Sequence, residues 1–186
     1  MRTAGVVIGV IVCAAVLVGR HAKTAADHVF SNMAYLTTYP DWRERVTLVN
    51  GEYSWGEKSS DGGFWSYHLS YEGHSVHGDF DHDGLKDAAV VISEGEGGSG
   101  DFRKLAFLIH DGRQLVHRAS YGLGDRARIN SLTARNGQVV VDLFVHGPHD
   151  CMAWPTKHVR NIYDYLRPGR DPLSQAILYP GRDHPP

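Results

Sequence analysis

Asp79, Asp81, Asp83 and Asp87 surround Gly84 in the run Asp79-Phe80-Asp81-His82-Asp83-Gly84-Leu85-Lys86-Asp87. A looped backbone with carboxylates at this spacing converges hard oxygen donors on one cation, and calcium suits such a donor set. In the acidic-loop template D-x-[DN]-x-[DN]-G, the first, third and fifth residues supply carboxylates. The glycine allows a sharp turn, and the residue after it offers its backbone carbonyl. Asp79, Asp81 and Asp83 fill the carboxylate slots, Leu85 the carbonyl slot and Asp87 the ninth slot. The twelfth slot, which carries a bidentate Glu in a helix-flanked EF-hand, is Val90, inside an apolar run that reads as a buried strand. The loop is therefore not an EF-hand. A solvated turn is the competing explanation, because Asp and Gly suit left-handed conformations and local hydrogen bonds. Mutual repulsion of the carboxylates opposes a compact loop without a cation, although Lys86 and His82 offset part of it. The spacing predicts a structural Ca2+ ion bound by Asp79, Asp81, Asp83, Leu85 and Asp87.

A second group is His146-Gly147-Pro148-His149-Asp150-Cys151, whose imidazoles, carboxylate and thiol are zinc-type ligands. Pro148 makes the segment a turn, and no second tight His/Cys pair completes four ligands. Asp125-Arg126 after Gly124 reads as a structural ion pair. The Gly97-Gly98-Ser99-Gly100 stretch lacks the following Lys-Ser/Thr and helix start of a phosphate loop, and Ser99 lacks the strand-turn-helix setting of a nucleophile elbow. Trp55, Trp65, Tyr53, Tyr67 and Tyr71 fall on neighbouring strand candidates and read as core.

The elements that must position these residues are mostly strands. Asp27 is placed to cap a short helix reaching Ala34, with Tyr39-Pro40-Asp41 as a turn. Residues 46–49 and 52–55 flank Asn50-Gly51, a hairpin signal. Residues 64–71 alternate, with Trp65, Tyr67, Leu69 and Tyr71 on the face expected to be buried. Further strands are predicted over 87–93, 102–109, 114–121, 129–133, 138–145 and 157–165, with hairpin turns at Asp111-Gly112 and Asn136-Gly137. The sum is a mainly β protein, an antiparallel meander closed as a sandwich or barrel, with a short N-terminal helical segment. No repeat period marks a propeller.

The chain has 186 residues, enough for one domain with a substantial core. Met1-Arg2 precedes an apolar run over 4–18, shorter than the roughly 20 residues of a spanning helix. The expectation is a signal peptide over 1–26 or a short anchor, a single β domain over 27–166 and a loose C-terminal tail over 167–186. Cys13 lacks the small preceding residue of a lipoprotein signal. Removing 1–26 takes away Arg2, Arg20 and Lys23 and no acid, from a chain whose net charge is already −2, so no nucleic-acid surface is implied. It also leaves Cys151 as the lone cysteine, which excludes an internal disulfide.

Taken in order, these motifs resemble a family of exported bacterial proteins whose activity is not established. The resemblance covers about residues 32–165. It rests on Val46-Thr47-Leu48-Val49-Asn50-Gly51, the G-D-[LF]-[DN]-x-D-G-x-x-D-A pattern at 78–88, the Gly-rich loop at 97–100, Leu123-Gly124-Asp125-Arg126, and a G-P-x-D segment leading to C-x-x-x-P at 147–155. The acidic loop also looks like the calcium loops of FG-GAP and integrin-like repeats, in a single copy. The family often carries adjacent cysteines before the final Pro-Thr, whereas here Cys151 is followed by Met152-Ala153-Trp154, so no disulfide or metal role carries over there. The resemblance implies a β fold and an exported, periplasmic or extracellular location. The expected function is a non-enzymatic binding or envelope-associated module whose partner is unknown, membrane-bound only if the N-terminal segment is uncleaved. The alternative is a metal-dependent hydrolase using His146, His149 and Asp150, with Asp125 and Arg126 nearby.

Overall fold

Ala, Val and Ile run without interruption through 88–92, as suits a strand covered on both faces. The computed structural model describes residues 25–37, 45–58, 60, 62–165 and 176–178, and makes that run the centre of the protein. It belongs to β5 (Asp87–Glu96), paired antiparallel with β4 (Phe64–Gly78) and β6 (Phe102–His110). β3 (Glu52–Lys58), β7 (Leu115–Asp125) and β11 (Ala176–Leu178) complete a six-stranded sheet in the order β11-β7-β6-β5-β4-β3.

One face of this sheet packs on a three-stranded sheet, β10-β9-β8, built from β8 (Arg128–Arg135), β9 (Gln138–Val145) and β10 (Lys157–Asp164). Ala89, Val91, Leu105, Phe107 and Tyr121 meet Val139, Val141, Leu143 and Tyr163 in this core. The other face carries a second core, where Ala88, Val90, Ile92, Ala106 and Leu108 meet Phe30, Tyr35 and Leu48. Those last residues come from helix α1 (Ala25–Phe30) and the small sheet of β1 (Ala34–Leu36) and β2 (Arg45–Thr47), with Leu48 just beyond β2. The architecture is a β sandwich of three packed antiparallel sheets, and none of them closes into a barrel. Among the described residues no helix is long and apolar enough to cross a membrane.

Both Asn-Gly turns form as expected, with positive φ at Asn50, Gly51, Asn136 and Gly137. The first closes a single bridge, Val49 to Glu52, and β2 then turns to β1 instead of pairing along β3. The residues after α1 take over its hydrogen bonds: Leu48 N–H donates to the Met33 carbonyl and Gly51 N–H to the Ser31 carbonyl. The helix accordingly ends at Phe30, short of Ala34, and Asp27 accepts the Tyr71 hydroxyl instead of acting as a cap. On β4, Tyr67 and Leu69 are buried and Tyr71 is half-buried, but Trp65 is 51% exposed beside Gly97. β5 and β7 run several residues further than their apolar patterns suggested. Ala176–Leu178 pairs with β7 inside the segment expected to be a loose tail. The proposed signal segment up to Thr24 and the Tyr39-Pro40-Asp41 turn lie outside the described residues.

Candidate metal centre

The acidic loop joins β4 to β5 where Gly78 pairs with Asp87. Phe80, fully buried, anchors it by packing edge-on to Phe107, with ring centroids 5.2 Å apart. Left-handed backbone at His82 (φ 64°) and Gly84 (φ 86°) turns the chain back. The side chains then organise the turn. Gly84 N–H donates to Asp79 Oδ2 at 3.2 Å, Asp83 N–H to Asp81 Oδ1 at 3.2 Å, and Leu85 N–H to Asp83 Oδ1 at 2.7 Å. Asp87 is fully buried and bridges two elements, accepting Phe80 N–H on Oδ2 and His110 N–H on Oδ1, both at 2.8 Å.

Asp79, Asp81 and Asp87 each present an oxygen within 4.8 Å of the other two, the one such trio of ligand atoms among the described residues. That spread is close to twice a calcium–oxygen distance of about 2.4 Å. Asp79 Oδ1 is buried and has no hydrogen-bond donor among the described residues. The Asp81 carboxyl is pushed above the usual carboxylate range, first by burial and then by Asp87, Asp83 and Asp79, while the Asp83 N–H bond opposes the rise. Asp83 itself stands outside the trio and is exposed, as is Leu85. Lys86 is exposed and forms no ion pair among the described residues. His82 lies against the β8–β9 turn: a Cβ on Gly137 would come 2.5 Å from His82 Cε1 and 3.4 Å from the Asp79 carbonyl oxygen. The loop thus touches both sheets of the first core.

The His146 group is spread out. His146 lines a groove of about 760 Å3 between the two large sheets, and its Nε2 is buried with no hydrogen-bond partner among the described residues. His149 and Cys151 are exposed. Asp150 closes the turn, accepting Gly147 N–H at 2.8 Å, Thr156 N–H at 2.7 Å and the Thr156 hydroxyl at 2.6 Å, and these bonds hold its carboxyl low. Arg126 pairs with Asp125 at 2.5 Å and also donates to the Ser99 and Met152 carbonyls, pinning the Gly-rich loop to the 152 turn.

Two buried polar groups escaped the sequence reading. His117 Nδ1 accepts the Leu36 N–H at 2.9 Å, so Nε2 carries the proton and faces Ser120 Oγ at 2.8 Å and the Ala119 carbonyl at 3.1 Å. That tautomer cannot take a proton from Ser120, and burial pushes the imidazole down to about 3. Glu94 accepts the Tyr67 hydroxyl at 2.7 Å and pairs with Lys104, whose ammonium burial lowers to about 8. Charged residues interrupting the apolar strands at Glu94 and Lys104 were the available signal. No protein family, curated protein or solved structure matches this chain.

Proposed function

We propose that the loop over 79–87 holds one structural calcium ion, in an exported, non-enzymatic binding or envelope-associated domain. The observation that carries the metal reading is the Asp79 Oδ1 atom: a carboxylate oxygen buried without a donor among the described residues, on a side chain that presents an oxygen within 4.8 Å of oxygens of Asp81 and Asp87. Buried polar atoms are satisfied in native proteins by a partner, an ordered water or an ion, and a hard divalent cation also relieves the carboxylate repulsion. Asp79, Asp81 and Asp87 form the inner set of the proposed ligands; Asp83 and the Leu85 carbonyl, with waters, would complete six to eight oxygens. The apolar run over 4–18 supports export.

The test is a thermal melt of chelator-treated protein titrated with calcium, with magnesium and an Asp81→Ala/Asp83→Ala double variant as controls. A calcium-specific rise in midpoint that the variant loses is the expected result, and no shift across millimolar calcium would refute the site. The mass of the mature N-terminus tests export with cleavage. The hydrolase reading has one observation on its side, the buried Nε2 of His146 in the groove. A zinc-dependent shift abolished by His146→Ala would favour it.

A further inference from the structure

The outward face of the β8–β9–β10 sheet carries chemistry that the calcium reading does not use. Arg128, Phe144 and His158 form one row across its three strands, and Asp142 and Arg160 stand in the next. Arg128 Cζ lies 5.1 Å from the Phe144 ring centroid and 4.6 Å from that of Trp154. His158 packs against Phe144 with centroids 5.0 Å apart and the rings tilted by 36°. Two rings therefore pack against the Arg128 guanidinium.

Among the described residues no carboxylate pairs with this guanidinium. Asp142 accepts Asn130 Nδ2 at 2.9 Å and His158 Nε2 at 2.8 Å on one oxygen, and Arg160 Nη2 at 3.0 Å on the other. Asp150, on the neighbouring turn, is occupied by Gly147 and Thr156. Among the described residues Arg128 makes neither a hydrogen bond nor an ion pair, while its contacts to Phe144 and Trp154 are in place. A planar guanidinium stacked on aromatic rings has little freedom left to lose and matches a carboxylate through two parallel N–H bonds. Beside it the Trp154 indole is 59% exposed. Its π face is negative and attracts the weakly positive C–H groups on the flat side of a pyranose ring.

We propose that this face binds a carboxylated sugar chain, with Arg128 gripping a carboxylate and Trp154 stacking on the ring that bears it or on its neighbour. Charge complementarity selects the occupant. Arg128 and Arg135, at opposite ends of β8, are the arginines of this face without an ion pair among the described residues, so beside Trp154 there is one such guanidinium on a chain of net charge −2, which suits a single carboxylate held by shape more than a phosphate polymer that needs many cations. The outward face of the sheet offers an extended sugar a platform.

The test is calorimetric titration of the full-length protein with oligogalacturonate. The fully methyl-esterified oligomer, single-stranded oligodeoxythymidine and oligoglutamate serve as competitor classes, and Arg128→Lys and Trp154→Ala as variants. Both substitutions fall on exposed side chains, so unchanged melting curves are expected. Oligogalacturonate should bind at least about tenfold more tightly than its ester. Arg128→Lys, which keeps the charge but loses the fork, should weaken binding by about tenfold, and Trp154→Ala by a similar factor. The proposal is overturned if oligogalacturonate shows no binding up to about 10 mM, if the ester binds equally, if Arg128→Lys binds as the parent does, or if oligodeoxythymidine or oligoglutamate binds more tightly.

Discussion

Asp79 and Asp87 contribute to the same trio but differ in what their oxygens already hold. Asp87 accepts two backbone N–H groups, and its removal strands both. Each buried unsatisfied donor costs about 1–3 kcal/mol, so Asp87→Ala should lower metal-free stability by roughly 2–6 kcal/mol in a urea titration. Asp79 Oδ1 has no hydrogen-bond partner among the described residues, so Asp79→Asn should leave metal-free stability nearly unchanged while abolishing the calcium response. Equal losses in the two variants without metal would show that both are ordinary turn residues. His117 is the other residue with a measurable signature. Burial above all, then the nearby Arg45 and Lys104 charges, keep it neutral in the fold to about pH 3. An unfolded histidine titrates near ~6.5, so between these values the unfolded state binds the extra proton. Its stabilisation is complete above pH ~6.5 and is lost at up to about 1.4 kcal/mol per unit as pH falls toward 3. His117→Gln keeps an acceptor and a donor but cannot titrate. Its stability should therefore be flatter than the parent's between pH 6.5 and 4.5, above the range where carboxylates dominate.

Among the elements, strands announced themselves where a physical pattern was strong. β9 matches its alternating run to the residue, and β5 and β6 were visible as apolar stretches between turn signals. β1 was not legible, because three residues have no periodicity and Ala34–Leu36 becomes a strand only through β2. The far end of β5 was hidden by Glu94, a charge that reads as a loop until Tyr67 and Lys104 are known to meet it. The acidic loop was legible in its donor spacing. Its Phe80 anchor, the double role of Asp87 and its seat against the β8–β9 turn were not, since each depends on residues distant in sequence. That seat can be measured. Gly137 has φ 73° and would drive a Cβ into His82, whereas Gly112 has φ 88° and nothing within 4 Å. Left-handed backbone alone costs a non-glycine residue about 1–2 kcal/mol. Gly112→Ala should lose about that amount and keep its calcium affinity. Gly137→Ala should lose more and bind calcium more weakly. Matching losses with matching affinities would disconnect the turn from the loop.

At the scale of the whole molecule, the acidic loop sits where the two large sheets meet on one core. Phe80 reaches Phe107, which also contacts Tyr121 and Tyr165 in the same layer. Asp87 fastens the loop to His110 at the end of β6, and His82 lies over the turn between β8 and β9. An ion bound there stabilises the folded state by mass action, about 1.4 kcal/mol at ten times its dissociation constant. If the sheets could open while the loop kept its ion, amide exchange would slow within 79–87 alone. If opening of the sheets breaks the site, exchange through that opening slows by about tenfold at that calcium concentration, because the same free energy applies to every amide that needs it. The expected result of hydrogen exchange with and without calcium is therefore added protection at His110 and at Asn136-Gly137, together with uniform slowing of the most protected amides of β5 and β9. Protection confined to 79–87 would make the loop a local clasp and remove its role in holding the sandwich together.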